Sequence, residues 1–437
     1  MDSARGRPFI ASDAIETVTA WEALDSRGTP TVACAVTLLN GGHGQVTVPS
    51  GASTGGHESH ELRDGDPDHY EGRGVQQAVA NVRDVLTPAV TGLAAGDWRG
   101  VDAALCSTDG TLELSRLGAN AMLAVSLATV LAGADGERLP LYRYLASGTA
   151  ELPMPMVNVI SGGAHADGGI DIQDVLVVPV GADSFPQALE WSRAVRERTA
   201  EIAIEGGMPA GLVADEGGLG LPLRRNVDAL ELVCAGIERA GLDLGVQVTL
   251  AIDVAANGLA DDDGYRLVTE DRHLSAEQWI EELCTWASHY PLTSIEDPLA
   301  EDDWASWTGI TARLGADVQI LGDDLFVTNR DRLQRGIDLG AGNAILLKPN
   351  QAGTLSRTED AWHLAAQAGF GTVLSARSGD TEDAWLADVA VAWSTGQIKV
   401  GSTTRSERTA KWNRLLQIAA ELGDSVPLAH PRPGSAV

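Results

Sequence analysis

From residue 172 onward the chain repeats one pattern, a short apolar run followed by a longer amphipathic stretch. The runs are IQDVLVVPV (172–180), VTLAID (248–253), LTSIED (292–297), VQILGDD (318–324), AILLKPN (344–350), TVLSARS (372–378) and GQIKVG (396–401). Between them lie stretches such as AEQWIEELCTWASHY and TEDAWHLAAQAG, with apolar residues at helical spacing. Strands alternating with helices in this way specify parallel βα units. The last six runs each carry a charged residue at or near the strand's end: Asp253, Glu296, Asp323, Lys348, Arg377 and Lys399, separated by 43, 27, 25, 29 and 22 residues. These are βα repeat lengths. In a (β/α)8 barrel the C-terminal strand ends surround one mouth, and active sites are built there. A single charge after an apolar run only marks where a strand leaves the core. Six in series predict one pocket lined by six charged groups.

The chain before that region reads differently. Residues 1–13 are polar and expected to be disordered. In TPTVACAVTLL, Val32, Cys34, Val36 and Leu38 alternate with Thr31, Ala33, Ala35 and Thr37, and the turn formers Asn40, Gly41, Gly42 and Gly44 precede an extended QVTVPS. That is a β-hairpin or meander. SGASTGGHES is a mobile loop by composition. Helices are expected over 75–86 and 117–145. The predicted organisation is an α+β domain over 14–150, an α/β barrel domain over 151–425 and a tail over 426–437.

Composition bounds the function. Of 437 residues, 31 are Lys or Arg and 61 Asp or Glu, a formal charge of −30. Such acidity argues against nucleic acid and against an anionic membrane surface. An anionic substrate would need local cations to hold it. With 44% apolar and 21% charged residues, disorder is excluded as the main state. No run of about 18 apolar residues predicts a membrane span, and the N-terminus lacks the apolar core of a secretory signal. Cys34, Cys106, Cys234 and Cys284 are far apart and form no CxxC pair, so neither a zinc site nor a disulfide framework is expected. The expectation is a reduced, cytoplasmic protein.

Asp253, Glu296 and Asp323 are three carboxylates from three strand ends. Gathered in one mouth they repel unless protonated or neutralised, and oxygen-only ligation suits Mg2+ rather than zinc. Lys348 and Lys399 lie further round the same mouth. A lysine beside a bound cation has its pKa lowered and can serve as a base. Metal plus lysine base is an arrangement for removing a proton next to a carboxylate. The plainer alternative is a salt-bridge ring without catalysis. The glycines around 217–220 form no GxxxxGK[ST] phosphate loop. Trp279 and Trp286, like Trp304 and Trp307, sit at helical spacing and are expected in the core.

Over residues 14–425 the chain resembles the enolase family. The motifs are LDSRGTPTV (24–32), VPSGASTG (48–55), ELRDGD (61–66), LGANAMLAVSLA (117–128), NVISGGAHA (158–166), DEGGL (215–219), SIEDP (294–298), GDDLFVTN (322–329), LLKPNQAG (346–353), RSGDTEDA (377–384) and TGQIKVG (395–401). A Lys or His base with one or two Mg2+ ions is the general pattern of enolase-superfamily sites. The resemblance implies an enolase-like (β/α)8-type barrel, preceded by a smaller α+β domain, whose first units depart from simple βα alternation. It implies that Asp253, Glu296 and Asp323 bind one tight Mg2+, and that Ser53 helps bind a second when substrate arrives. It implies Lys348 as the base, with Lys399 stabilising the enediolate and Glu216 protonating the departing hydroxyl. Arg377 and Ser378 would hold the phosphate, while His165 and Gln173 line the site. The substrate is then a small anionic phosphoester, 2-phosphoglycerate, and the protein a homodimer or higher homo-oligomer.

Two departures fall inside this implied site. Glycolytic enolases carry glutamate after the glutamine of the second barrel segment; here Asp174 follows Gln173. One methylene fewer sets the carboxylate about 1.5 Å further back, and a misplacement of about 1 Å can cost roughly 10²-fold. The family reads Ser-His-Arg-Ser-Gly where this chain has Ser375, Ala376, Arg377, Ser378 and Gly379. Pro349 replaces the usual valine after the base. Both site changes shrink side chains while the metal ligands and lysines stay. The expectation is a remodelled paralogue resembling carboxyphosphonoenolpyruvate synthase, which takes phosphonoformate as second substrate. The alternative is a phosphopyruvate hydratase, and the third reading a non-catalytic binding protein.

Overall fold

The computed structural model describes residues 11–51, 55–146, 148–166, 169–423 and 426–430. The sequence readings for residues 1–10, Ser53 and 431–437 lie outside these. The chain divides into two compact units. One takes Met1–Val48, Ser59–Tyr144 and Gly353–Ser356; the other takes Pro49–Glu58, Leu145–Ala352 and Arg357–Val437.

In the first unit, β1 (Ile15–Leu24), β2 (Pro30–Leu38) and β3 (His43–Thr47) form an antiparallel sheet in that order. The alternation read in the second run does not become alternating burial. All of β2 but Thr37 is buried, because it is the central strand and packs under the helix Ala119–Glu137. That helix is long and apolar enough by composition to cross a membrane, yet it is buried like a core helix. The helix expected over 117–145 breaks into Ala119–Glu137 and Leu141–Tyr144. Arg138 turns left-handed at φ 56°, and Pro140 supplies no N–H to continue the ladder.

The second unit is a closed barrel of eight strands: β4 (Met154–Ser161), β5 (Asp174–Val178), β6 (Thr249–Asp253), β7 (Leu292–Glu296), β8 (Gln319–Gly322), β9 (Ala344–Leu347), β10 (Gly371–Ser375) and β11 (Gln397–Gly401). Pairing runs round from β4 to β11, and β11 pairs with β4 to close the ring. Strands β6, β7, β8 and β9 are buried at every position, apart from the half-buried Thr293. Parallel strands covered on both faces read as continuous apolar runs. Strand β5 is the exception to parallel order, antiparallel to both β4 and β6. Its N-terminal end therefore lies at the mouth where the other strands finish. Ser184, Ser275, Asp303 and Asn329 cap the helices Phe185–Glu205, Ala276–His289, Trp304–Leu314 and Arg330–Leu339 through their side chains. Trp279, Trp286, Trp304 and Trp307 are all buried.

Candidate active site

The six charged residues meet at one end of the barrel, though not all at strand ends. Asp253 and Glu296 close β6 and β7 and are direct cross-strand partners. Asp323 and Lys348 lie one residue beyond β8 and β9, and Arg377 two beyond β10. Lys399 lies within β11. The ladder to β4 shifts between Lys399 and Gly401, and the Lys399 side chain meets Asp253 and Glu296 from within the strand. Gly401 is obligatory there. Its φ is 112°, and a Cβ would stand 2.7 Å from the carbonyl oxygen of Glu216.

Three carboxylates are set against two ammonium groups. Lys399 Nζ donates to Asp253 Oδ2 at 2.7 Å and to Glu296 Oε2 at 2.7 Å. Lys348 Nζ is paired with Asp323 Oδ2. Gln173 Nε2 donates to Asp253 Oδ2 at 3.0 Å. Burial pushes the Glu296 carboxyl up, and Asp253 beside it adds to the effect, so it stands well above the usual carboxylate range. Burial also pushes Asp253 up, but Lys399 outweighs it and holds Asp253 low. Burial disfavours both ammonium groups, yet Asp323 raises Lys348, and Asp253 with Glu296 raises Lys399 well above its ordinary value.

Glu296 Oε1 is buried and has no hydrogen-bond partner among the described residues. An orphaned carboxylate oxygen between Asp253 and Asp323, in an all-oxygen donor set, fits a hard divalent cation such as Mg2+. Asp323 also belongs to a tight acidic group with Asp297 and Asp324. Asp297 accepts the backbone N–H groups of Asp323 and Asp324 at 2.9 and 2.8 Å, which fixes the loop after β8. Burial and Asp323 push Asp324 up to about 7.

Lys348 is held from its backbone. Its N–H donates to Thr328 Oγ1 at 2.8 Å, Thr328 donates to Gln351 Oε1 at 2.7 Å, and Gln351 Nε2 donates to Asp323 Oδ1 at 2.9 Å. Lys348, Asp323 and the first turn after β9 thus form one bonded unit.

Arg377 is engaged by a residue the sequence did not single out. Its guanidinium donates to Glu58 Oε2 at 3.0 Å and Oε1 at 3.2 Å, and to Asn350 Oδ1 at 3.2 Å. Glu58 ends the SGASTGGHE segment. The described part of that loop is anchored rather than loose: Ser50 and Gly379 exchange backbone bonds at 2.7 and 3.1 Å, Gly55 N–H donates to Glu58 at 3.0 Å, and Gly56 N–H to Glu301 at 3.0 Å. Composition flagged a mobile loop; the described part is tied down by a backbone pair, by Glu58 at its own end and by the distant Glu301. Arg408 is fully buried and donates to the carbonyls of Arg377 and Ser378, each at 2.6 Å, and of Val400 at 3.1 Å. Replacing Arg408→Met should therefore destabilise the protein by about 3 kcal/mol, since buried carbonyls lose charged donors. Urea denaturation checks this; an unshifted midpoint would mean these bonds contribute nothing.

Asp174, Ala376, His165 and Glu216 complete the mouth. Ala376 is buried, and its N–H donates to the Lys399 carbonyl at 2.9 Å. Asp174 does not reach into the opening. Its Oδ1 accepts from Asn158 and, at 2.9 Å, from Ser161; its Oδ2 lies 3.2 Å from His165 Nδ1. His165 Nε2 is 4.0 Å from Glu216 Oε1. Burial opposes the imidazolium, but Asp174 and Glu216 prevail and hold His165 up to about 9. Burial pushes Asp174 up despite His165.

The sequence reading missed Glu58, Asn158, Ser161, Thr328, Gln351 and Arg408. Only Glu58 carried a signal, as a carboxylate inside a Gly/Ser loop. Two family models match the chain: "Enolase, N-terminal domain" over residues 15–145, and "Enolase, C-terminal TIM barrel domain" over residues 149–432.

Proposed function

The chain belongs to the enolase family, and on that premise we propose that it is a Mg2+-dependent enzyme acting on 2-phosphoglycerate. Lys348 takes the proton from the carbon next to the carboxylate. Lys399, placed between Asp253 and Glu296, neutralises charge that moves onto the carboxylate. Arg377 and Ser378 hold the phosphoryl group, with Glu58 sharing the guanidinium. His165 and Gln173 line the site, and Glu216 serves the departing 3-hydroxyl. Asp253, Glu296 and Asp323 would hold one Mg2+, with Ser53 contributing to a second. A divalent cation held there would supply charge neutralisation at the substrate carboxylate, and Asp323, as one of its ligands, would then no longer be paired with Lys348.

The finer reading is a specialised paralogue in phosphonate or phosphinate biosynthesis, of the carboxyphosphonoenolpyruvate synthase kind, with phosphonoformate as second substrate. The observation that carries it is Asp174: wholly buried and bonded through both oxygens, it draws its carboxylate back, while Ala376 carries only a methyl group, in a site whose lysines and carboxylates are all kept. A homo-oligomer is part of this reading, and nucleic acid and membranes are not.

The test is ³¹P NMR with Mg2+ and 2-phosphoglycerate, with and without phosphonoformate. A new phosphonate resonance together with free phosphate, only when both acids are present, is the expected result. Rapid phosphoenolpyruvate formation without the second acid would overturn the paralogue reading in favour of a hydratase. The double change Asp174→Glu and Ala376→His should raise hydratase turnover; no gain would show that these positions do not set the specificity.

A further inference from the structure

Asn158 and Ser161 on β4 face the first residue of β5, and Ser161 is the cross-strand partner of Asp174. All three side chains are fully buried. Asn158 Nδ2 donates to Asp174 Oδ1 and to Ser161 Oγ, the latter at 2.9 Å. Ser161 Oγ donates to the same Asp174 oxygen at 2.9 Å. The segment carrying Glu216 lies directly over this knot. A Cβ on Gly218 would stand 2.4 Å from Ser161 Oγ and 2.8 Å from Asn158 Oδ1, so only glycine lets Glu216 sit where it does.

The free face of Asp174 is thereby turned to one partner, His165 Nδ1 at 3.2 Å. A carboxylate only accepts, so Nδ1 carries a proton. The remaining ring nitrogen, Nε2, is aimed at Glu216 Oε1, 4.0 Å away. Catalytic contacts in a substrate-free site are often long and tighten on binding.

We propose that Asp174 is a positioning residue: clamped by Asn158 and Ser161, it fixes the His165 ring so that Nε2–H feeds Glu216 with the proton for the departing 3-hydroxyl. The inference rests on the reading of this site as one that expels that hydroxyl. The balance is complete. The C2–H bond breaks and Lys348 takes the proton. Its electron pair forms the C2–C3 double bond, and the C3–O bond breaks. The oxygen leaves as water with a proton from Glu216, which His165 replaces. The side chains that meet the His165 ring are Asp174 and Glu216, both acidic, and together they keep the ring charged against its burial. His165 also lines a cavity of about 420 Å³ walled by Ala166, Leu212, Val213, Leu221 and Asp215. Leu212 and Val213 are exposed, so the ring can be recharged from solvent.

The experiment pairs two readouts on the whole protein and on Asp174→Asn, with Ser161→Ala as the milder variant. The first is the ¹⁵N spectrum of labelled histidine at pH 7.5. His165 should give an imidazolium signal in the unaltered protein and a neutral one in Asp174→Asn. The second is the ratio of C2 proton exchange to water loss from 2-phosphoglycerate with Mg2+. That ratio should rise roughly 10²-fold in Asp174→Asn, and by less in Ser161→Ala. An unmoved imidazolium signal or an unmoved ratio in Asp174→Asn overturns the clamp. Absence of C2 exchange in the unaltered protein would instead overturn the functional reading, while the ¹⁵N spectrum still decides whether Asp174 sets the ring.

Discussion

With alanine at position 348, turnover of 2-phosphoglycerate should fall roughly 10²–10⁴-fold, the usual contribution of a positioned general base. The structure gives the reason in three parts. The ammonium is partly buried at the mouth and paired with Asp323. Its backbone is tied through Thr328 and Gln351 to that same aspartate. Burial alone would lower it toward the range of a useful base, and Asp323 is what holds it up. Anything that engages Asp323 therefore frees Lys348 to accept a proton. Lys348→Arg should be almost as damaging, because guanidinium keeps the charge but gives up no proton. The ³¹P assay reads both variants. Lys348→Ala with undiminished turnover would mean that the base is another group.

Chelation of divalent cations should abolish turnover, and Glu296→Gln should raise the Mg2+ concentration needed for half-maximal rate at least ten-fold (roughly 1.4 kcal/mol or more of binding). Glu296 is the sharper probe, because its Oε1 is a buried carboxylate oxygen without a partner among the described residues. Burial and Asp253 hold its carboxyl well above the ordinary range, so the protonated form competes with metal binding. Binding should then release protons, and apparent affinity should rise as pH rises through the titration of that group. Mg2+ at about 100 times its dissociation constant should stabilise the fold by about 2.7 kcal/mol. Titration calorimetry in two buffers of different ionisation heat measures the proton count. A binding heat independent of buffer, or no thermal shift with Mg2+, would contradict this account of the carboxylates.

The barrel was legible because buried parallel strands are apolar on both faces, and their spacing marked the βα repeats. Strand direction was not legible. The run around Asp174 looks like its neighbours, and only its pairing to β4 and β6 shows that it runs the other way. Nor was the place of Lys399 within its strand legible: it lies inside β11 rather than at its end, next to a shift in the ladder to β4. The charged residues of the mouth were found from sequence, as their positions follow the repeat. Their partners were not. Glu58 reaches Arg377 across 319 positions, and Asn158 and Ser161 sit in an apolar run whose hydroxyl and amide read as ordinary strand residues. The shorter side chain at 174 was expected to withdraw from the opening. The structure adds what it withdraws into: Asn158 and Ser161 donate to its Oδ1, and its Oδ2 meets His165.

The most direct measurement is deuterium wash-in at C2 of 2-phosphoglycerate, followed by proton NMR in D2O with Mg2+. Wash-in reads proton removal itself, whichever second substrate or product follows. The account predicts loss of the C2 proton signal with the unaltered protein, and retention with Lys348→Ala or after chelation. A C2 signal that persists with the unaltered protein at saturating Mg2+, or one lost equally in Lys348→Ala, would contradict it.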